Sequence, residues 1–145
     1  MDSKLGTRLD APYPEYVNDP SGFLEAVLGW SPWEKQREIA NALVDDQRVS
    51  VVSCNGAGKT ALAGRLVLWF MMTRNDAVVI TTAPTWHQVG LMWREVRAAH
   101  ADAKFHLKGE LMQTRLDIGP AWYGMGLSTD REERFQGFHA KGMVR

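Results

Sequence analysis

The sequence predicts an α/β fold, a parallel sheet flanked by helices, on three observations. Two short runs rich in β-branched residues, 48–53 and 77–82, read as strands. Each is followed by a longer segment of helical character, 59–73 and 85–100. A glycine-bearing stretch separates the first strand from its helix. Strand, loop, helix, strand, helix is the order of parallel strands joined by right-handed crossovers.

The elements follow in order. Residues 1–18 are polar and punctuated by proline (Ala11-Pro12-Tyr13-Pro14). They read as an extended arm without a core of its own, which leaves 19–145 as the folded part. Asp19-Pro20-Ser21 starts a helix, with Phe23, Leu24, Val27 and Leu28 at helical spacing and Gly29 as its stop. Ser31 caps the next helix, with Pro32 at its first position and Glu34 completing a capping box. That helix should reach Val44, with Trp33, Ile39, Ala40, Leu43 and Val44 on its apolar side. Segment 59–73 is apolar nearly all round (Leu62, Leu66, Val67, Trp69, Phe70), the pattern of a buried helix. Ala83-Pro84 ends the second strand. The following helix is amphipathic, with Val89, Met92, Trp93 and Val96 on one side and Arg94 and Arg97 on the other. Weaker strand patterns lie at 115–118 and 122–127. Residues 128–139 are loop-like, and 141–145 open another strand. Most of the six tryptophans fall at helix-core spacing.

Composition narrows the function classes. At 145 residues the chain is one domain's length. Seventeen basic residues balance seventeen acidic ones, so any contact with nucleic acid must come from a local patch. A single cysteine, Cys54, excludes an internal disulfide framework and fits a reducing compartment. The N-terminus lacks the apolar stretch of a secretory signal. The longest apolar run, 66–72, falls far short of the ~20 residues of a membrane span. A soluble, intracellular protein is expected. His87, His100, His106 and His139 show no metal-ligand spacing, so no zinc site is proposed.

The chemistry-bearing motif is Ser53-Cys54-Asn55-Gly56-Ala57-Gly58-Lys59-Thr60. It matches the phosphate-loop pattern G-x-x-x-x-G-K-[ST], except that Ser53 replaces the first glycine. Small residues let backbone N–H groups curl around phosphates, and the following helix directs its positive dipole end at them. Lys59 then reaches the β- and γ-phosphates, and the Thr60 hydroxyl ligates Mg²⁺. Gly-Lys-Thr alone is a weak signal. Its placement between a β-branched strand and a buried helix makes it specific. The competing reading is an ordinary glycine-rich turn with Lys59 solvated. Cys54 reads as a small residue in a tight loop, since no neighbouring His or second Cys supports catalysis.

Further landmarks fall in a set order. Trp33 and Gln36 precede the phosphate loop; Thr81-Thr82-Ala83-Pro84-Thr85 and Gln88-Val89 follow it; Arg134-Phe135-Gln136-Gly137-Phe138-His139-Ala140 comes near the end. From Asp19 onward the chain resembles the N-terminal ATPase domain of bacteriophage terminase large subunits, and the last of these segments is the most terminase-like. The resemblance implies a P-loop NTPase fold of the additional-strand type shared with helicases. It also implies ATP and Mg²⁺ as ligands. It further implies an ATP-driven motor that packages double-stranded DNA into capsids in the cytoplasm of a bacterial host. Its partners would be a portal, a small terminase subunit and further copies of itself in a ring.

The resemblance makes Gln36 the adenine-reading glutamine, since an amide pairs with the N6 donor and N7 acceptor of adenine. The alternative is a surface glutamine on a capped helix. Thr85 and Gln88 would lie between nucleotide and DNA surfaces; the simpler reading is that Thr85 caps the following helix with Gln88 as its partner. Arg134, or Arg131, would be an arginine finger toward a neighbouring subunit's ATP, or else a solvated arginine in a charged turn.

The family also needs an apolar strand ending in Asp-Glu, the Walker B carboxylate and the catalytic glutamate. Leu43-Val44-Asp45-Asp46 precedes the phosphate loop, and Asp117 lacks the apolar run. The expected place is past Arg145, with Met143-Val144 as the strand's opening, and the family's nuclease domain is not expected within these residues. The sequence therefore reads as a front part of such a motor domain, binding nucleotide with weak or no hydrolysis. A helicase-like DNA-remodelling ATPase also suits Ala83-Pro84-Thr85. A non-hydrolysing nucleotide-binding or structural relic of a truncated prophage gene is the third reading.

Overall fold

A computed structural model describes residues 10–44, 49–52 and 57–129, of which 49–52 and 57 by backbone alone. Within them the chain is α/β. A 3₁₀ turn at Pro14–Tyr16 precedes α1 (Pro20–Ala26), α2 (Glu34–Asn41), β1 (Val49–Val52), α3 (Ala57–Thr73), β2 (Val78–Ala83), α4 (Trp86–Asp102), β3 (Glu110–Leu111), β4 (Arg115–Gly119) and β5 (Trp122–Ser128). The sheet order is β1-β2-β5-β4-β3.

The sheet is mixed, which corrects the expectation of a parallel one. β1 and β5 both run parallel to β2, Val51 standing opposite Thr81 and Thr81 opposite Gly126. β4 is antiparallel to β5, and β3 to β4. The cause is connection length. Long helical crossovers join β1 to β2 and start the path from β2 to β5, whereas Gly119 and Trp122 face each other across a turn too short for a crossover.

The two crossover helices lie on one face of the sheet. An ideal Cβ on Gly124 would come 2.8 Å from Met71 Sδ of α3, and one on Gly126 would come 2.5 Å from Val89 Cγ1 of α4. These positions and Thr81 share a face by strand alternation. Trp93 Nε1 donates to Thr81 Oγ1 on that face at 2.9 Å. The helices approach each other as closely. A Cβ on Gly64 would sit 2.9 Å from Glu95 Cβ and 3.0 Å from the Val96 backbone nitrogen, so glycine sets the α3–α4 distance.

α3 is buried around its circumference, as its composition predicts: Leu62, Leu66, Val67, Trp69 and Phe70 are all at most 4% exposed. α1 and the 3₁₀ turn cover the side away from the sheet. Trp69 Nε1 donates to the Tyr16 carbonyl at 2.8 Å, and Tyr13 and Tyr16 meet Phe23 edge-on. Trp122 Nε1 donates to the Met71 carbonyl at 2.9 Å, so the three most buried indoles all have acceptors. Arg65, 8% exposed, donates to Glu95 Oε1 and the Ala61 carbonyl at 3.0 Å each and lies over the Trp30 ring. Its charge is thereby compensated inside the helix layer.

Helix starts follow from which side chain reaches which N–H. Asp19 Oδ1 accepts from Gly22 N at 3.0 Å and starts α1 as expected, and Gly29 takes a positive φ of 68° after its end. α2 starts later than its Ser31-Pro32 signal. Trp33 is the N-cap, and Gln36 Oε1 accepts from Trp33 N at 2.7 Å. Gln36, not Glu34, is therefore the reciprocal partner, and α2 ends at Asn41 rather than Val44. Trp33 stands outside the helix at 72% exposure, and Ile39 is 39% exposed, so neither belongs to a buried apolar side. Ala40 does, at 0%. The described part of the arm is tied down: Tyr13 N donates to the Met72 carbonyl at 3.0 Å, and Lys108 Nζ to the Asp10 carbonyl at 2.6 Å.

Candidate nucleotide site at the start of the third helix

α3 begins at Ala57, directly after the 53–56 segment that follows β1. Ser53, Cys54, Asn55 and Gly56 of the phosphate-loop motif lie outside the described residues, as do Arg131, Arg134 and the Arg134–Ala140 segment. The 141–145 strand pattern lies outside them too. Ala57, Gly58, Lys59 and Thr60 form the first turn of α3. Lys59 is exposed, and Gly58 and Thr60 are half-covered. This is the end of a 17-residue helix where backbone N–H groups lack intrahelical acceptors and the dipole is positive.

Gln36 is brought to this turn from 22 residues away. Its Nε2 donates to the Gly58 carbonyl at 3.0 Å while its Oε1 holds the Trp33 N–H at 2.7 Å. The side chain is 7% exposed, so it is not the surface glutamine of the alternative reading. It clamps the start of α2 to the start of α3. Trp33 comes with it, its Cζ3 4.0 Å from the place a Cβ on Gly58 would occupy. The sequence pattern places Trp33 on the apolar side of α2, whereas it is 72% exposed. The signal against that was available: a glutamine three residues later can close the helix start on the Trp33 N–H and leave the indole outside the helix face.

Thr85 and Gln88 show the capping geometry. Thr85 Oγ1 accepts from Gln88 N at 3.2 Å, and Gln88 Oε1 lies 3.3 Å from the same hydroxyl. Among the described residues no group of three or more His, Cys, Asp or Glu side chains is placed to hold a metal ion. A Mg²⁺ ion here would depend on the Thr60 hydroxyl and the nucleotide's own oxygens, the donor set expected where phosphate carries the metal. Among the described residues open clefts lie elsewhere, one of ≈ 570 Å³ beside Arg115 and Asp117 and one of ≈ 500 Å³ beside Arg74. Their arginines are engaged, Arg115 with Asp117 Oδ1 at 2.8 Å and Arg74 with the Val44 carbonyl at 3.0 Å.

No helix among the described residues is long and apolar enough to cross a membrane. Compared with family models, curated proteins and solved structures, the chain matches none.

Proposed function

We propose that the chain binds the triphosphate of a nucleotide together with Mg²⁺ at the start of α3, as a P-loop ATPase domain of the additional-strand type. Gly56 and Gly58 let the backbone approach the phosphates, Lys59 neutralises the β- and γ-phosphate charge, and Thr60 contributes its hydroxyl to the metal. The observation that carries the reading is the position of Lys59. It is exposed in the first turn of a largely buried helix, and the 53–56 segment separates that helix from a parallel strand. Strand, glycine-bearing segment and helix in that order are the context the motif requires.

The resemblance to terminase large subunits extends the proposal to DNA packaging. In that reading Arg134 completes a neighbour's site, and double-stranded DNA, a portal, a small subunit and a ring of copies are the partners. The test of the core proposal is titration with a fluorescent ATP analogue and Mg²⁺ beside Lys59→Ala. Saturable binding that the substitution abolishes is expected. Equal binding by both chains would remove Lys59 from the site. The packaging reading is tested separately, by introducing Lys59→Ala into a packaging-competent protein that contains this sequence; unchanged packaging would contradict it.

A further inference from the structure

We infer that the nucleobase rests on the Trp33 indole, and that Gln36 positions this platform rather than reading the base edge, so the site accepts adenine and guanine nucleotides alike. The inference rests on the phosphate site proposed above.

Trp33 is the most exposed of the large apolar side chains in the described structure, at 72%. It is nonetheless not on a loose segment. Pro32 before it is buried, its own backbone is extended at the N-cap of α2, and its N–H is held by Gln36 Oε1 at 2.7 Å. The backbone is fixed and the ring is left out. The ring also stands against the turn that carries Lys59, with Cζ3 4.0 Å from the ideal Cβ position on Gly58. A nucleotide whose phosphates lie at that turn therefore has an open aromatic face beside it, carried on a fixed backbone. A purine covering that face removes apolar surface of both rings from water, and stacking of this kind tolerates any base.

Reading adenine by hydrogen bonds needs an amide edge that presents one donor and one acceptor to the base. The Gln36 amide is buried to 7% exposure, its oxygen on the Trp33 N–H and its nitrogen on the Gly58 carbonyl. The first closes the start of α2 on the Trp33 N–H, the second ties α2 to α3, and together they set where Trp33 stands relative to the phosphates.

The test is calorimetric titration of the full chain with Mg·ATP, Mg·GTP and Mg·tripolyphosphate, for wild type, Trp33→Ala, Trp33→Phe and Gln36→Glu. The exposed position of Trp33 makes its replacements compatible with folding. ATP and GTP should bind wild type within about threefold of each other, and Trp33→Ala should weaken both by about tenfold while leaving tripolyphosphate unchanged. Trp33→Phe should recover most of the affinity and, in a parallel fluorescence titration, lose the indole quenching that either nucleotide causes. Gln36→Glu keeps the acceptor for Trp33 N–H and removes the donor to Gly58. It should weaken both nucleotides by the same factor. An ATP preference of about a hundredfold in wild type would overturn the inference, because that is the discrimination a bidentate base-edge pair can give. So would a shift in the ATP-to-GTP ratio in Gln36→Glu, or indifference of both nucleotides to Trp33→Ala, as a protein-contact role for Trp33 would give. In those cases tripolyphosphate still binds and the phosphate site stands. Failure of all three ligands to bind a folded wild-type chain would overturn the phosphate site along with the inference.

Discussion

The two ends of α3 contrast within one helix. Residues 66–72 are all at most 4% exposed, enclosed by the sheet, α4, α1 and the 3₁₀ turn. At the other end Lys59 is exposed, and Gly58 has room for an added methyl, its nearest neighbour Gln36 Nε2 at 3.6 Å. The buried length fixes the helix in space, and the open end is then held in position without being packed. A site that must hold phosphates against water's competition needs donors that are already oriented. Here the hydrophobic effect does the orienting, several turns away from the proposed chemistry.

If that division is right, substitutions should sort by position along α3. The largest effect is expected from Trp69→Ala, which empties a fully buried site and removes the bond to the Tyr16 carbonyl. A loss on the order of 3–5 kcal/mol in urea unfolding is expected; a loss below about 1 kcal/mol would mean that α3 does not anchor the core. Next come the glycines at close approaches. Gly126→Ala and Gly64→Ala should each cost about 1–3 kcal/mol, because the added carbon meets Val89 and Trp93 in one case and the Glu95–Val96 backbone in the other. Gly58→Ala sharpens the contrast. With no contact closer than 3.6 Å it should be neutral or stabilising by up to about 1 kcal/mol. A destabilisation like that of Gly64→Ala would show that the first turn is packed after all. Lys59→Ala should change stability by less than about 0.5 kcal/mol.

The smallest effect concerns pH. Burial, and secondarily the charge of His106, lowers the pKa of His100 below the ordinary imidazole value. Its Nε2 is buried without a hydrogen-bond partner among the described residues. The unfolded chain therefore binds the proton more readily. Stability should be unaffected above the unfolded pKa of about 6.5 and fall as pH drops through it, levelling off below the folded value. Denaturation midpoints between pH 7.5 and 5, compared with His100→Leu, would show it. An equal acid-side decline in the variant would assign the effect to other groups.

Much of this contrast is legible in the sequence, unevenly. α3 is readable because apolar residues surround it, and the Lys59-Thr60 pair marks its start. The capping of α1 by Asp19 and of α4 by Thr85 follows from residue type alone. α2 misleads because one of its two buried positions is polar: Gln36 is buried beside Ala40, while Trp33 and Ile39, expected on the apolar side, are exposed. A satisfied amide can take that place, and hydrophobic periodicity cannot see it. Its partner, the Gly58 carbonyl, is a long-range contact that no local pattern contains. The antiparallel β4–β5 pair was open to inference from the short Gly119-Pro120-Ala121 link between two strand patterns. The two-residue β3 is too short to leave a pattern. Nothing in residue type alone reveals that the two crossover helices share one face of the sheet.

The central claim is that a buried helix holds an open phosphate-binding turn, and thermal unfolding with and without saturating Mg·ATP tests both halves together. Wild type and Lys59→Ala should unfold at the same temperature without ligand. Mg·ATP at about 100 times its Kd should then stabilise wild type by about 2.7 kcal/mol and leave Lys59→Ala unmoved. Equal shifts in the two proteins, or a folded wild type that does not respond, would contradict it.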